Sequence, residues 1–201
     1  DYLERLGASA IPELLNWLDN PHRFHLVIDV LASIGTNETI PPLLDKLKTE
    51  SDVLRKQEIV LALAKLGERS VISDLLQMVV NNSEALDALA NLVKVDEPPE
   101  VVSYLNNIDW DGKLEWGEDK WIRPLAKINK VQGVDFVPGL ILALERVSVR
   151  FINTSNSHPN MKYLIQVLGD IGDARAIPIL NKVRDELRYG YIKEYVSNAK
   201  L

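Results

Sequence analysis

The sequence predicts an all-α fold in which about six helical hairpins stack into an α-solenoid. Three observations lead to this prediction. A phrase of the form apolar-x-x-apolar-Gly recurs along the chain, an apolar block follows each copy, and the block starts lie about 30 residues apart. Because a two-helix unit cannot bury its apolar face alone, we expect successive units to pack against one another.

The first half of the repeat predicts the end of one helix in each unit. Leucine or isoleucine lies four residues and one residue before a glycine, which commonly closes a helix in the left-handed conformation. The clear copies end at Gly7, Gly35, Gly67 and Gly172, and two degenerate copies end at Val93 and Asn129.

The second half of the repeat predicts a second helix after each turn. In the block from Ile40 to Leu47 the apolar residues fall at i, i+3, i+4 and i+7, which is one face of a helix. The blocks begin at Ile11, Ile40, Ile72, Val101, Val137 and Ile177. A first helical turn tolerates the missing N–H of proline. Proline holds the second block position at Pro12, Pro41, Pro138 and Pro178.

The block spacing predicts a single repeat domain over residues 1–201 with two insertions. Successive starts are 29, 32, 29, 36 and 40 residues apart, so the last two spacings exceed the basic period. They predict an acidic insertion at about 106–119 and a polar loop at about 150–160. Residues 1–7 match only the last turn of a first helix, so we expect the chain to be a fragment that begins inside a repeat. Residues 189–201 predict one more helix.

The repeat resembles a known family of helical repeats. The segment LGDIGDARAIPIL at 168–180 is similar to the HEAT-like repeat of phycobilisome lyases, and residues 31–35 with 40–44 are similar to it as well. Members of this repeat class include chromophore lyases, hydroxylases, DNA glycosylases and protein-binding scaffolds. The resemblance therefore implies an α-α superhelix, but it does not imply one activity.

Composition excludes several classes of function. The chain has no cysteine, so it offers no disulfide, no thiolate nucleophile and no cysteine-ligated metal site. Its apolar runs are shorter than the roughly 20 residues that span a bilayer, and no signal peptide opens the sequence, which predicts a cytoplasmic protein. The net charge of -6 argues against nucleic acid and anionic lipid as partners.

The acidic excess lies in residues 96–119, which carry eight acidic residues against one lysine. The same stretch contains Trp110 and Trp116, and amphipathic aromatic residues often anchor protein interfaces. Trp110, Asp111 and Trp116 are therefore candidate binding residues for a basic partner. The alternative is that the tryptophans pack inward while the acids stay solvated. Residues 109–112 superficially resemble an EF-hand, but the glycine comes too early and the bidentate glutamate is missing.

A second candidate surface follows from the sixth position of each block, which points away from the apolar face. This position holds Asn16, Asp45, Gln77, Asn106, Leu142 and Lys182. The second helices of an α-solenoid usually line its concave groove, so the first four residues would form a polar ladder there. The ladder resembles the asparagine ladder of armadillo proteins, in which amides bind the backbone of extended peptides. The alternative is that exposed helix positions are simply polar.

The sequence shows no catalytic constellation. None of His22, His25 and His158 is followed by glutamate, so the iron-binding pairs of HEAT-repeat hydroxylases are missing. No nucleophile elbow, Walker loop or dinucleotide fingerprint is present. We therefore expect neither metal nor cofactor.

We accordingly expect a scaffold that binds another protein, with a basic or extended segment as its ligand, rather than an enzyme. A phycobilin lyase or isomerase is the alternative that the resemblance implies. Nucleic-acid binding comes third. A basic patch would be formed by Arg175, Lys182, Arg184 and Arg188, but Asp185 and Glu186 interleave them and favour a solvated helix of mixed charge.

Overall fold

A computed structural model of the chain describes residues 7–79, 82–93, 99–108, 119–131, 134–151, 159–186 and 196–197. All regular secondary structure in these ranges is helical, which confirms the all-α prediction. The chain divides into two compact units, Asp1–Val79 and Val80–Leu201. The single repeat domain over residues 1–201 stays a prediction. Residues 109–118 of the acidic insertion, 152–158 of the polar loop, 1–6 and most of 189–201 lie outside the described residues.

Unit 1 contains five described helices. They are α1 (Ile11–Trp17), α2 (Phe24–Ile34), α3 (Ile40–Thr49), α4 (Val53–Lys65) and α5 (Ile72–Met78). Short 3-10 helices at Gly7–Ala10, Asn37–Thr39 and Arg69–Val71 lead directly into α1, α3 and α5. Helix α2 packs against α1 and α4, and α4 also contacts α3 and α5. Helix α4 is therefore the centre of this unit.

Unit 2 contains six described helices. They are α6 (Ser83–Leu92), α7 (Pro99–Asn107), α8 (Asp119–Asn129), α9 (Val137–Phe151), α10 (Pro159–Ile171) and α11 (Ile177–Glu186). A 3-10 helix at Ala174–Ala176 leads into α11. The first helices of the repeats contact in the order α6, α8, α10, and the second helices contact in the order α7, α9, α11. First and second helices thus form separate layers within this unit.

Glycine ends the first helices as the repeat predicts. Gly35, Gly67 and Gly172 have φ angles of 70°, 84° and 71°, a left-handed conformation that costs a residue with a Cβ roughly 1–2 kcal/mol. At Val93 the backbone is instead extended, because a β-branched residue avoids that conformation. Helix α6 therefore ends without the left-handed residue that closes the glycine-capped helices.

The second helices begin at the predicted block starts. Five of them start at Ile11, Ile40, Ile72, Val137 and Ile177, and α7 starts two residues before Val101, at Pro99. The fourth block position is a buried leucine in five blocks, at Leu14, Leu43, Leu75, Leu140 and Leu180. In α7 this position is the half-buried Tyr104, and Leu105 takes the fully buried place. In α7 the fully buried leucine thus lies one position later than in the other blocks, while Val101 at the first block position is buried.

Candidate functional site

The predicted ladder residues of unit 1 lie on the surface of its second helices. Asn16 on α1, Asp45 on α3 and Gln77 on α5 are all exposed. Each follows a buried leucine by two positions, which places it roughly 200° around the helix from the core. The predicted exposure is confirmed for these three residues, while their contact with a ligand stays a prediction. We call Asn16, Asp45 and Gln77 the polar row.

The hydrogen-bonding groups of the polar row are largely available. Asp45 Oδ1 accepts a hydrogen bond of 2.8 Å from Lys48 Nζ, and both side chains are exposed. Within the described part of the chain, the amides of Asn16 and Gln77 have no side-chain hydrogen-bond partner. An amide offers both a donor and an acceptor, so both residues can bind the two polar groups of a peptide unit.

An ion pair joins the end of α1 to α3 beside the polar row. Lys46 Nζ donates to Asp19 Oδ1 over 2.7 Å. This hydrogen bond lowers the pKa of Asp19 and raises the pKa of Lys46. Close by, the guanidinium of Arg23 lies over the ring of Trp17, with its central carbon 4.5 Å from the ring centroid. Two cations therefore lie at the end of α1. Lys46 contacts a carboxylate, and Arg23 contacts an aromatic ring.

Glu50 continues this chain of charges into the interior of unit 1. Only 7% of its side chain is exposed, and Oε1 accepts hydrogen bonds from the N–H groups of Ser51 and Asp52. Oε2 lies 3.5 Å from Lys46 Nζ and 4.0 Å from Arg55 Nη1. The hydrogen bond from Asp52 is the largest of the effects that lower the pKa of Glu50. A buried carboxylate is stable here because backbone donors and cations replace its hydration.

We expect the stability of the protein to fall in acid because of Glu50. Its folded-state pKa lies below the ordinary value of 4.5, so the carboxylate stabilises the fold above that pH. The contribution is lost as the pH falls through the folded-state pKa. In urea titrations at pH 7, Glu50→Gln should lower the free energy of unfolding by about 1–3 kcal/mol. The free energy of unfolding of Glu50→Gln should also fall less between pH 5 and pH 3 than that of the parent protein.

Glu13→Gln is the matched control for this substitution, because Glu13 is an exposed acid on α1. We expect it to leave both the stability at pH 7 and its acid dependence close to those of the parent. An unchanged acid dependence in Glu50→Gln would contradict the role given to the buried carboxylate.

Asn106 differs from the three residues of the polar row. Its Nδ2 donates to the backbone oxygen of Asp135 over 2.8 Å, and its Oδ1 accepts from the N–H of Gly139 over 3.0 Å. The side chain is half-buried, and α7 packs against α9. Asn106 therefore fastens α7 to the start of α9, and we leave it out of the binding surface proposed below.

Arg175 joins two carboxylates of unit 2. It donates to Asp135 Oδ2 over 2.7 Å and to Asp135 Oδ1 over 2.9 Å, and it also donates to both oxygens of Asp173. These bonds lower the pKa of each aspartate. Arg184 Nε donates to Asp185 Oδ1 over 2.9 Å. The positive charge of two members of the predicted basic patch is thus balanced, and Arg188 lies outside the described residues.

The other sequence-predicted positions have separate outcomes. Leu142 and Lys182, which interrupt the predicted ladder, are exposed on α9 and α11. Trp110, Asp111 and Trp116 of the acidic insertion lie outside the described residues, and their binding role stays a prediction.

The described histidines do not form a metal site. His25 Nδ1 lies 2.6 Å from Glu58 Oε2, which links α2 to α4, while the backbone N–H of His22 donates to Asn20 Oδ1. Across the residues that the structure describes, no group of three or more metal-binding side chains is found. His158 lies outside the described residues.

Within the residues that the structure describes, no helix combines the length and apolar character needed to cross a membrane.

The sequence alone does not reveal the row of charged contacts, here called the charge chain, that is formed by Asp19, Lys46, Glu50 and Arg55. Asp19 and Lys46 are 27 residues apart, so no local pattern connects them. The only sequence signal for this contact is that both residues lie towards the ends of consecutive second helices. That signal is visible only after the repeats are aligned.

Comparison with protein-family models, with curated proteins and with solved structures finds no match to this chain. The resemblance to HEAT-like repeats therefore stays a prediction based on the repeat phrase.

Proposed function

We propose that this chain is a protein-binding scaffold, an α-solenoid of HEAT-like hairpins that binds an extended segment of another protein across the second helices of unit 1. The observation that carries the proposal is the polar row. Asn16, Asp45 and Gln77 occupy the same position on successive second helices, and all three are exposed.

The spacing of such a row suits an extended peptide. Packed neighbouring helices lie about 8–10 Å apart, and an extended chain advances about 3.3 Å per residue. In the proposed solenoid, second helices at this interval would place one row residue at about every third residue of the ligand. Amides at that interval can bind the peptide backbone without requiring particular ligand side chains.

Exposed acidic side chains on α1 and α3 are the groups that a basic segment would contact. Exposed Glu13 lies on α1, and Asp45 belongs to the row itself. Lys48 and Lys46 balance part of this charge through their bonds with Asp45 and Asp19. The acidic insertion with Trp110, Asp111 and Trp116 is a second surface that we propose for the same partner, because its charge has the same sign.

Peptide selection followed by substitution tests this function. We expect a displayed library of random peptides to yield basic, extended sequences that bind the immobilised chain. The double variant Asn16→Ala, Gln77→Ala should weaken the binding of these peptides by about ten-fold, because it removes two backbone-binding amides. Isothermal calorimetry measures the change.

Asn37→Ala is the control variant, since Asn37 is an exposed amide in the turn before α3 and outside the row. It should bind the selected peptides as the parent does. Failure to enrich any peptide, or equal affinities for the double variant and the parent, would remove the row from the proposal.

A further inference from the structure

The ring of Trp17 already holds a cation within the molecule. Trp17 is half-buried at the end of α1, and the central carbon of the Arg23 guanidinium lies 4.5 Å from its ring centroid. Trp17 immediately follows Asn16 of the polar row. The ring thus lies one helix position, or about 100° around α1, from Asn16, and its face is suited to a positively charged side chain.

The contact with the Trp17 ring is the only interaction that the structure shows for the Arg23 guanidinium among the described residues. Its side chain is exposed, and among the described residues no carboxylate accepts a hydrogen bond from its guanidinium. Its backbone is anchored separately, since its N–H donates to Asn20 O and its oxygen accepts from the N–H of Val27. The side chain can therefore leave the ring while the turn before α2 keeps its hydrogen bonds.

Two carboxylates lie close to Trp17 along the chain and would face a cation that replaces Arg23 on the ring. Asp19 carries a carboxylate that is 88% exposed, and its bond to Lys46 leaves further acceptor sites on its two oxygens. Glu13 precedes Trp17 by four residues, so both side chains lie on the same face of α1.

We propose that the Trp17 ring receives an arginine side chain of the bound segment, and that Arg23 occupies this place when no ligand is bound. This inference rests on the proposed function. Arginine fits better than lysine because its planar guanidinium stacks on an aromatic face and can donate to a neighbouring carboxylate at the same time. Arg23 acts as an internal competitor, so a ligand must displace it to bind fully.

The test uses a short peptide of alternating arginine and alanine, and the same peptide with citrulline, which is the uncharged isostere of arginine. In proton–nitrogen NMR spectra of the full chain, the indole signal of Trp17 is the one that disappears in Trp17→Phe. We expect the arginine peptide to shift this signal and the citrulline peptide to leave it in place. Arg23→Ala should bind the arginine peptide about two- to five-fold more tightly than the parent.

Lys65→Ala is the matched control, because it removes one exposed positive charge from α4, away from Trp17 in sequence. An equal gain in Arg23→Ala and Lys65→Ala would attribute the effect to net charge and overturn the proposal. The proposal would also be overturned if the arginine peptide did not shift the Trp17 indole signal in Arg23→Ala. Selected peptides that depend on Asn16 and Gln77 but not on Arg23 would leave the proposed function standing while this inference fails.

Discussion

Replacing Gly139 with alanine is expected to lower the free energy of unfolding by about 3 kcal/mol. A Cβ atom at this position would lie 2.7 Å from the backbone oxygen of Asn106 and 2.8 Å from its Cα. Backbone atoms cannot yield as a flexible side chain does, so α7 and α9 would have to separate. Separation would also break the hydrogen bonds that Asn106 makes to Asp135 and Gly139. Urea unfolding followed by circular dichroism measures the loss.

Gly67→Ala is the control for this substitution. It measures the cost of backbone conformation without steric overlap. Gly67 has a φ of 84°, and no atom of the described residues lies within 4 Å of the place that a Cβ would take there. Only conformational strain of about 1 kcal/mol is therefore expected. Alanine at an uncrowded helical glycine normally stabilises a protein by about 0.5–1 kcal/mol. A Gly139→Ala variant as stable as the parent would therefore contradict the close contact of these two helices.

Phe24→Ala should destabilise unit 1 by about 3–5 kcal/mol, the usual cost of truncating a buried aromatic side chain. Phe24 is 0% exposed at the start of α2. The guanidinium of Arg55 lies over its ring at 5.1 Å, and Arg55 in turn lies near the buried Glu50. Removing the ring thus creates a cavity and takes away one neighbour of the Arg55 cation.

The control for this substitution is Leu26→Ala on the same helix, where the side chain is 52% exposed. It should change the free energy of unfolding by only about 0.5 kcal/mol. Thermal and urea unfolding of the two variants should therefore differ clearly. Similar losses for both would show that Phe24 does not occupy the core of unit 1.

The elements of this fold were predictable because their signals are local. A glycine at the end of an apolar run and an Ile-Pro pair at the start of the next one identify the boundaries without any distant contact. Helices therefore start at Ile11, Ile40 and Ile177 as the blocks predict. Exposure of the polar row followed from the same periodicity, since a position two residues after a buried leucine lies on the opposite side of a helix.

The function of Asn106 was not predictable in this way. Its block aligns with the others, but α7 begins at Pro99 and carries its fully buried leucine one residue later. The amide that was expected at the surface instead forms hydrogen bonds between α7 and the start of α9. The charge chain of unit 1 was also missed, because its members become neighbours only when successive repeats pack.

The polar bonds of unit 2 limit how its second helices can move against one another. Asn106 links α7 to α9, and Arg175 links Asp135, just before α9, to Asp173, just before α11. Hydrogen bonds tolerate only a few tenths of an ångström, whereas apolar surfaces can slide. Hydrogen bonds therefore hold the intervals between these helices, and we expect this layer of unit 2 to move as one rigid body rather than helix by helix.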